Sequence, residues 1–214
     1  MSLRTRPLVI AALVLGALVT ARPAQAGPPL LCHPFDIGSA ASLPWSGASS
    51  WFDGKGGYRL SDLVSDTEAL LGPSTPVIVR METLRRASIY ASRDPQVAAA
   101  LVDRLTAKAQ AKKDALALLD AAYVTEALRQ IVAIGGISGY KDRVGALRDL
   151  LRGRDGWALM SASLAARPDD PALQFAAALI AADKNRAAYT EHAQRARAGA
   201  GKDALLARNL HYIS

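Results

Sequence analysis

Residues 114–134 read DALALLDAAYVTEALRQIVAI, and their spacing decides the fold class. Leu116, Leu119, Tyr123, Ala127, Ile131 and Ile134 recur at steps of three and four, which is the period of one helical face. Gly135-Gly136 closes the run. A stripe of this length has to bury against neighbours, so the flanking sequence must supply other helices.

Both flanks do. On the N-terminal side, Val77, Met81, Leu84 and Ala91 mark one helical face after Pro76, and Ala98, Leu101 and Leu105 mark the next. Ser61 is placed to cap a helix running through Leu63, Thr67, Leu70 and Leu71, stopped by Gly72-Pro73. Thr75-Pro76, Asp94-Pro95 and Asp170-Pro171 each set a capping side chain before a proline at the first helical position, where a missing N–H costs nothing. On the C-terminal side, Ile137 to Tyr140 reads as a short loop. Val144, Leu147 and Leu151 then mark a helix closed by Arg152-Gly153-Arg154-Asp155-Gly156. Shorter helices follow at 157–167, 171–182, 186–197 and 202–212. Ala and Leu are abundant, and aromatic residues make up only 6% of the chain, a profile that favours helix over sheet. The expectation is an all-α domain over 61–214: about seven to nine helices in antiparallel pairs, curving into a right-handed stack.

Within 151–214 the helices are most alike. The residues Ala165-Ala166-Arg167-Pro168-Asp169-Asp170-Pro171, then Ala177-Ala178, Ala188-Tyr189 and Ala193 to Ala196, resemble a degenerate tetratricopeptide-type array. There small mid-helix residues let paired helices approach, and Pro or Asp punctuates each hairpin. Gln174 and Ala177-Ala178 stand where that family carries its Trp and Leu-Gly positions. The N-terminal segment together with Arg80-Met81-Glu82-Thr83-Leu84-Arg85-Arg86 also resembles uncharacterised exported bacterial proteins, a likeness that implies an address and no activity.

The start of the chain reads as a secretory signal peptide over 1–26. Arg4 and Arg6 precede the uncharged run PLVIAALVLGALVT at 7–20, and Ala24-Gln25-Ala26 presents small residues before Gly27. The run is shorter than the roughly 20 residues that span a hydrocarbon core, so cleavage is expected near Ala26-Gly27, with the product periplasmic or secreted and without a stable membrane span. A lipoprotein signal would need a small residue before Cys32, where Leu31 stands. Removing 26 of 214 residues lowers the formal charge from +7 to +4. Lys112-Lys113 and Arg85-Arg86 are then the only adjacent basic pairs. Such scattered charge lacks the cationic face and stacking aromatics of a nucleic-acid binder. Residues 27–60 follow as an irregular arm, rich in Gly and Ser yet carrying Trp45, Trp51, Phe35 and Phe52, which suits a segment laid over a helical body.

Few residues offer chemistry. Cys32, His33 and Asp36 form the one cluster of candidate metal ligands, since a soft thiolate with an imidazole suits zinc or copper. The competing reading makes Cys32 a small buried hydrophobe and His33 a hydrogen-bonded arm residue. A single cysteine forms no internal disulfide, leaving a reactive thiol or a link between two chains as further readings. A covalent haem signal is broken by Pro29. Glu82, one of only four Glu, has Arg85 and Arg86 one turn on and reads as a partly buried ion pair locking helices. Gly54-Lys55-Gly56-Gly57 lacks phosphate-loop spacing, and no Ser stands in a G-x-S-x-G elbow. The function expected is therefore an exported, non-catalytic helical module, without a cofactor, that binds a protein or peptide in the cell envelope. A small metal- or thiol-dependent site on Cys32, His33 and Asp36, or a self-associating structural envelope protein, are the alternatives.

Overall fold

Helix boundaries are set by the side chains that capture the first free backbone N–H groups. The computed structural model describes residues 27–46, 52, 54–135 and 141–213. The signal segment 1–26, Trp51 and the loop expected at 137–140 lie outside the described residues. Among those described, the protein is all-α. The nine helices are α1 (Leu63–Leu70), α2 (Val77–Ala91), α3 (Pro95–Lys112), α4 (Ala115–Ala133), α5 (Lys141–Leu150), α6 (Gly156–Ala166), α7 (Pro171–Ala181), α8 (Arg186–Gly199) and α9 (Ala204–Asn209). The single extended pairing among these residues is a bridge between Trp45 and Gly54. None of the described helices is long and apolar enough to cross a membrane.

Asp94 and Asp170 cap α3 and α7, accepting from the N–H of Gln96 and from those of Ala172 and Leu173, each ahead of a first-turn proline. Asp114, Asp155, Asn185 and Asp203 cap α4, α6, α8 and α9 in the same way. Two expected caps do not form. The Thr75 hydroxyl donates to the Leu70 carbonyl at 2.8 Å, closing the end of α1, so Pro76 takes the cap position of α2 without a side-chain bond. Ser61 bonds the Asp62 carboxylate at 3.1 Å, and a 3₁₀ turn (Leu60–Asp62) leads into α1.

α4 is the centre of the packing, touching α2, α3, α5, α6 and α7. Its sequence stripe is buried at Leu119, Tyr123, Ala127 and Ile131, but so are Ala121, Ala122, Val124 and Leu128 on the other side. The first three-quarters of the helix is surrounded, as a helix apolar all round should be. α1, α3 and α5 touch in succession, and so do α2, α4 and α6. α7 pairs with α8 and also reaches back to α2 and α4.

α2 departs most from its sequence pattern. All but Arg86 of Val77–Ala91 is buried, including Arg80, Glu82 and Arg85: α1, α3, α4 and α7 pack against the helix, and 27–46 bonds Glu82, Arg85, Arg86 and Tyr90. Apart from the Trp45–Gly54 bridge the described part of the arm joins no sheet, and several of its backbone groups bond side chains. Leu30 donates to Gln130 Oε1 at 2.9 Å and accepts from Tyr123 Oη at 2.8 Å. Phe35 N–H donates to Glu82 Oε2 at 2.9 Å, and the Leu31 carbonyl accepts from Arg85 Nη1 at 3.1 Å. Further on, Arg86 Nη1 donates to Leu43 O at 2.5 Å and Tyr90 Oη to Pro44 O at 2.6 Å.

Candidate functional site

A sizeable concavity opens where the C-terminal half of α4 meets the first turn of α6 and the α7–α8 junction. It has a volume of about 590 Å³ and is lined by Glu126 and Arg129 of α4, Arg154 and Trp157 at the start of α6, and Ile180 and Lys184 at the end of α7. Glycine sets its shape twice. Gly153 adopts φ +73°, which turns the chain between α5 and α6 without side-chain strain. A Cβ on Gly156 would lie 2.5 Å from Glu126 Oε1, so only glycine lets α6 begin against the carboxylate.

Glu126 is 4% exposed, and a buried charge is stable only when paired. Its Oε1 accepts from Arg129 Nε at 3.2 Å and its Oε2 from Lys184 Nζ. Arg129 also donates through Nη2 to the Arg154 carbonyl, tying α4 to the loop before α6. Arg154 reaches out of the site to Asp103 Oδ1 at 2.6 Å. One carboxylate thus faces two cations, and a third, the Arg154 guanidinium, stands beside them. Half-buried Trp157 forms the apolar wall with Ile180 and Ala181, and its ring lies 5.9 Å from that of His192. His192 bonds Gln174 Oε1 through Nδ1 at 2.7 Å, and burial holds its imidazole below the usual pKa. The pocket therefore joins an apolar wall to three cations, set against the carboxylates of Glu126 and Asp155.

The residues singled out by sequence lie elsewhere, near the chain's C-terminal end. The Cys32 thiol is pushed up to about 11 by burial, with Arg85 opposing, which disfavours the thiolate that metals and electrophiles need. His33 stacks on Tyr212 with centroids 5.5 Å apart, and its Nε2 is buried without a hydrogen-bond partner among the described residues. Burial lowers its pKa, with Arg85 and His211 adding to the effect. Asp36 is exposed: its Oδ1 accepts from Gly38 N–H at 2.9 Å and lies 3.6 Å from Arg208 Nη1. Asn209 of α9 grips the Asp36 backbone at both N–H and carbonyl, each at 2.9 Å. Among the described residues no three of His, Cys, Asp or Glu are arranged to hold a metal ion.

Glu82 is fully buried. It accepts from Arg85 at 2.8 and 2.9 Å, from Arg86 at 2.6 Å, and from the arm at Phe35. Trp45 of the arm covers the Arg85 guanidinium, 4.9 Å from its ring centroid. The ion pairs thus join helix to arm more than helix to helix.

Sequence reasoning passed over the Glu126 pocket. The available signal was a Glu inside an apolar helix in a chain with only four, together with the third Trp directly after Asp155-Gly156. Fold and pocket together define, among the described residues, an all-α protein with a sizeable amphipathic cavity. No protein-family model matches the chain, and neither a curated protein nor a solved structure matches it.

Proposed function

We propose that the protein is an exported helical interaction module that binds a peptide segment of a cell-envelope protein, and that the 590 Å³ pocket receives that segment. The supporting observation is the pairing in one cavity of the Trp157–Ile180 wall with Arg129, Arg154 and Lys184 around a single buried carboxylate. An apolar side chain next to a carboxylate, as at a peptide's C-terminal end, matches both halves of that surface. The successions α1–α3–α5 and α2–α4–α6 favour reading the first six helices as a tetratricopeptide-like stack, an architecture that presents binding surfaces. The segment 1–26 supports the exported address.

The test is selection of short peptides with free C-terminal carboxylates against the purified protein. Binders should end in an apolar residue, lose about tenfold or more of their affinity on Trp157→Ala or Lys184→Glu, and weaken with salt. Binders whose affinity is untouched by both substitutions would place the working surface elsewhere.

A further inference from the structure

A second cavity, of about 140 Å³, lies where the α1–α2 loop, the last turns of α3, the first turn of α4 and the end of α6 converge. Its polar lining is Arg80 of α2, Lys108 and Lys112 of α3, Asp114 and Asp120 at the start of α4, and Arg167 after α6. Asp120 is 1% exposed. Its Oδ2 accepts from Arg80 Nη1 at 2.6 Å, while its Oδ1 is buried with no hydrogen-bond partner among the described residues. Two further N–H groups of Arg80 are taken by carbonyls, Nε donating to Thr75 O at 3.1 Å and Nη2 to Gly72 O.

The charges around the cavity are unevenly matched. Asp114 spends its Oδ1 on the N–H groups of Leu116 and Ala117. Arg167 makes only a 4.0 Å approach to Asp170, and neither Lys108 nor Lys112 makes an ion pair among the described residues. Once Arg80 is set against Asp120, the lining keeps a surplus of positive charge. The volume holds a few water-sized groups at roughly 30 Å³ each, enough for an ion of four or five heavy atoms and too little for a nucleotide or a sugar.

We propose that this cavity binds a compact tetrahedral oxyanion of sulfate or phosphate size, held at the rim by Lys108, Lys112 and Arg167, with the protonated Asp120 carboxyl donating its O–H at the wall. A protonated acid supplies what the lone Oδ1 lacks, because as a donor it is complemented by an anion oxygen that would repel the ionised form. Burial raises Asp120 to about 6, with Arg80 and Lys108 opposing and Asp114 assisting. Binding is then coupled to a proton: the competent fraction falls as pH rises through that value, and the apparent affinity falls with it.

Sulfate is the probe, since its charge does not change across the range used. Calorimetric titration of the purified protein with sodium sulfate, at ionic strength balanced by chloride, should show affinity about thirtyfold tighter near pH 5 than near pH 7.5. Asp120→Asn keeps a donor amide and should bind equally at both pH values. Should that variant not fold, Lys108→Ala with Lys112→Ala tests the same site from its surface and should weaken sulfate about tenfold or more at either pH. Methyl phosphate near pH 5 identifies the source: binding with the same lysine dependence means the group is recognised on a larger molecule, and binding of sulfate alone means a free ion. Either result supports the site. Sulfate binding by the native protein that ignores pH, or that survives loss of both lysines, overturns the proposal, as does no binding of either probe.

Discussion

At the scale of single residues, Gly156 is a position where the chain has little freedom. The first turn of α6 rests on the Glu126 carboxylate, and an added methyl would meet Oε1 at 2.5 Å and Cγ at 2.6 Å. Glu126 cannot swing away cheaply, because Arg129 and Lys184 hold both of its oxygens. Gly156→Ala should therefore destabilise the protein by about 1–3 kcal/mol, the usual cost of overpacking a filled site, although alanine is by propensity the better helix residue. Chemical denaturation checks the sign, since a gain in stability would mean that the two helices are free to separate. None of this contact is legible in the sequence. Gly156 reads there as part of a loop, because nothing in Arg154-Asp155-Gly156-Trp157 tells which carboxylate from α4 will lie beneath it. Glu82 was closer to legible: the i+3 and i+4 arginines announce its ion pairs, but its third kind of partner, the Phe35 N–H, is 47 residues away in sequence.

At the scale of elements, the sequence carries helix starts well where an aspartate precedes the helix. Asp170 shows why. Its Oδ1 takes the Ala172 N–H at 3.0 Å and the Leu173 N–H at 3.2 Å, and Pro171 gives up no bond. Both groups are local, so the four residues 170–173 contain the whole device. Asp170→Ala should cost about 1 kcal/mol, read as a lowered midpoint in thermal denaturation, with Asp170→Asn largely restoring it. A midpoint left unchanged by the alanine would mean that α7 is held by packing alone. Thr75-Pro76 looked the same and is not, because the unsatisfied carbonyl at the end of α1 competes for the Thr75 hydroxyl. α2 was misjudged for a related reason. Glu82 with Arg85 and Arg86 reads in the sequence as a partly buried pair locking helices, and these side chains bond instead the backbone of an arm that lacks regular secondary structure. Helical periodicity marks the helix and not what is laid over it.

At the scale of the whole molecule, the buried titratable groups pull stability in opposite directions as pH changes. His33 and His192 have pKa values lowered chiefly by burial. The folded state resists their protonation, so the stability they leave intact above the ordinary histidine value is lost as pH falls below it. Asp120 acts in the other sense. Its carboxyl is raised from 3.8 to about 6, so the folded state binds its proton more tightly than the unfolded chain does. The contribution is fully present below the unfolded value and is lost as pH rises through about 6; a displacement of that size corresponds to about 3 kcal/mol. Between neutral pH and pH 5 the histidines thus weaken the fold while Asp120 strengthens it, so the two effects oppose each other in the native profile. Asp120→Asn removes one side of this balance. The amide oxygen can still accept from Arg80 Nη1, so the fold persists, but nothing then offsets the histidines. Denaturant midpoints measured from about pH 7.5 down to pH 5 should fall more steeply in the variant than in the native protein. Parallel profiles would mean that Asp120 is already ionised at pH 5 and that Arg80, 2.6 Å away, outweighs the burial acting on it.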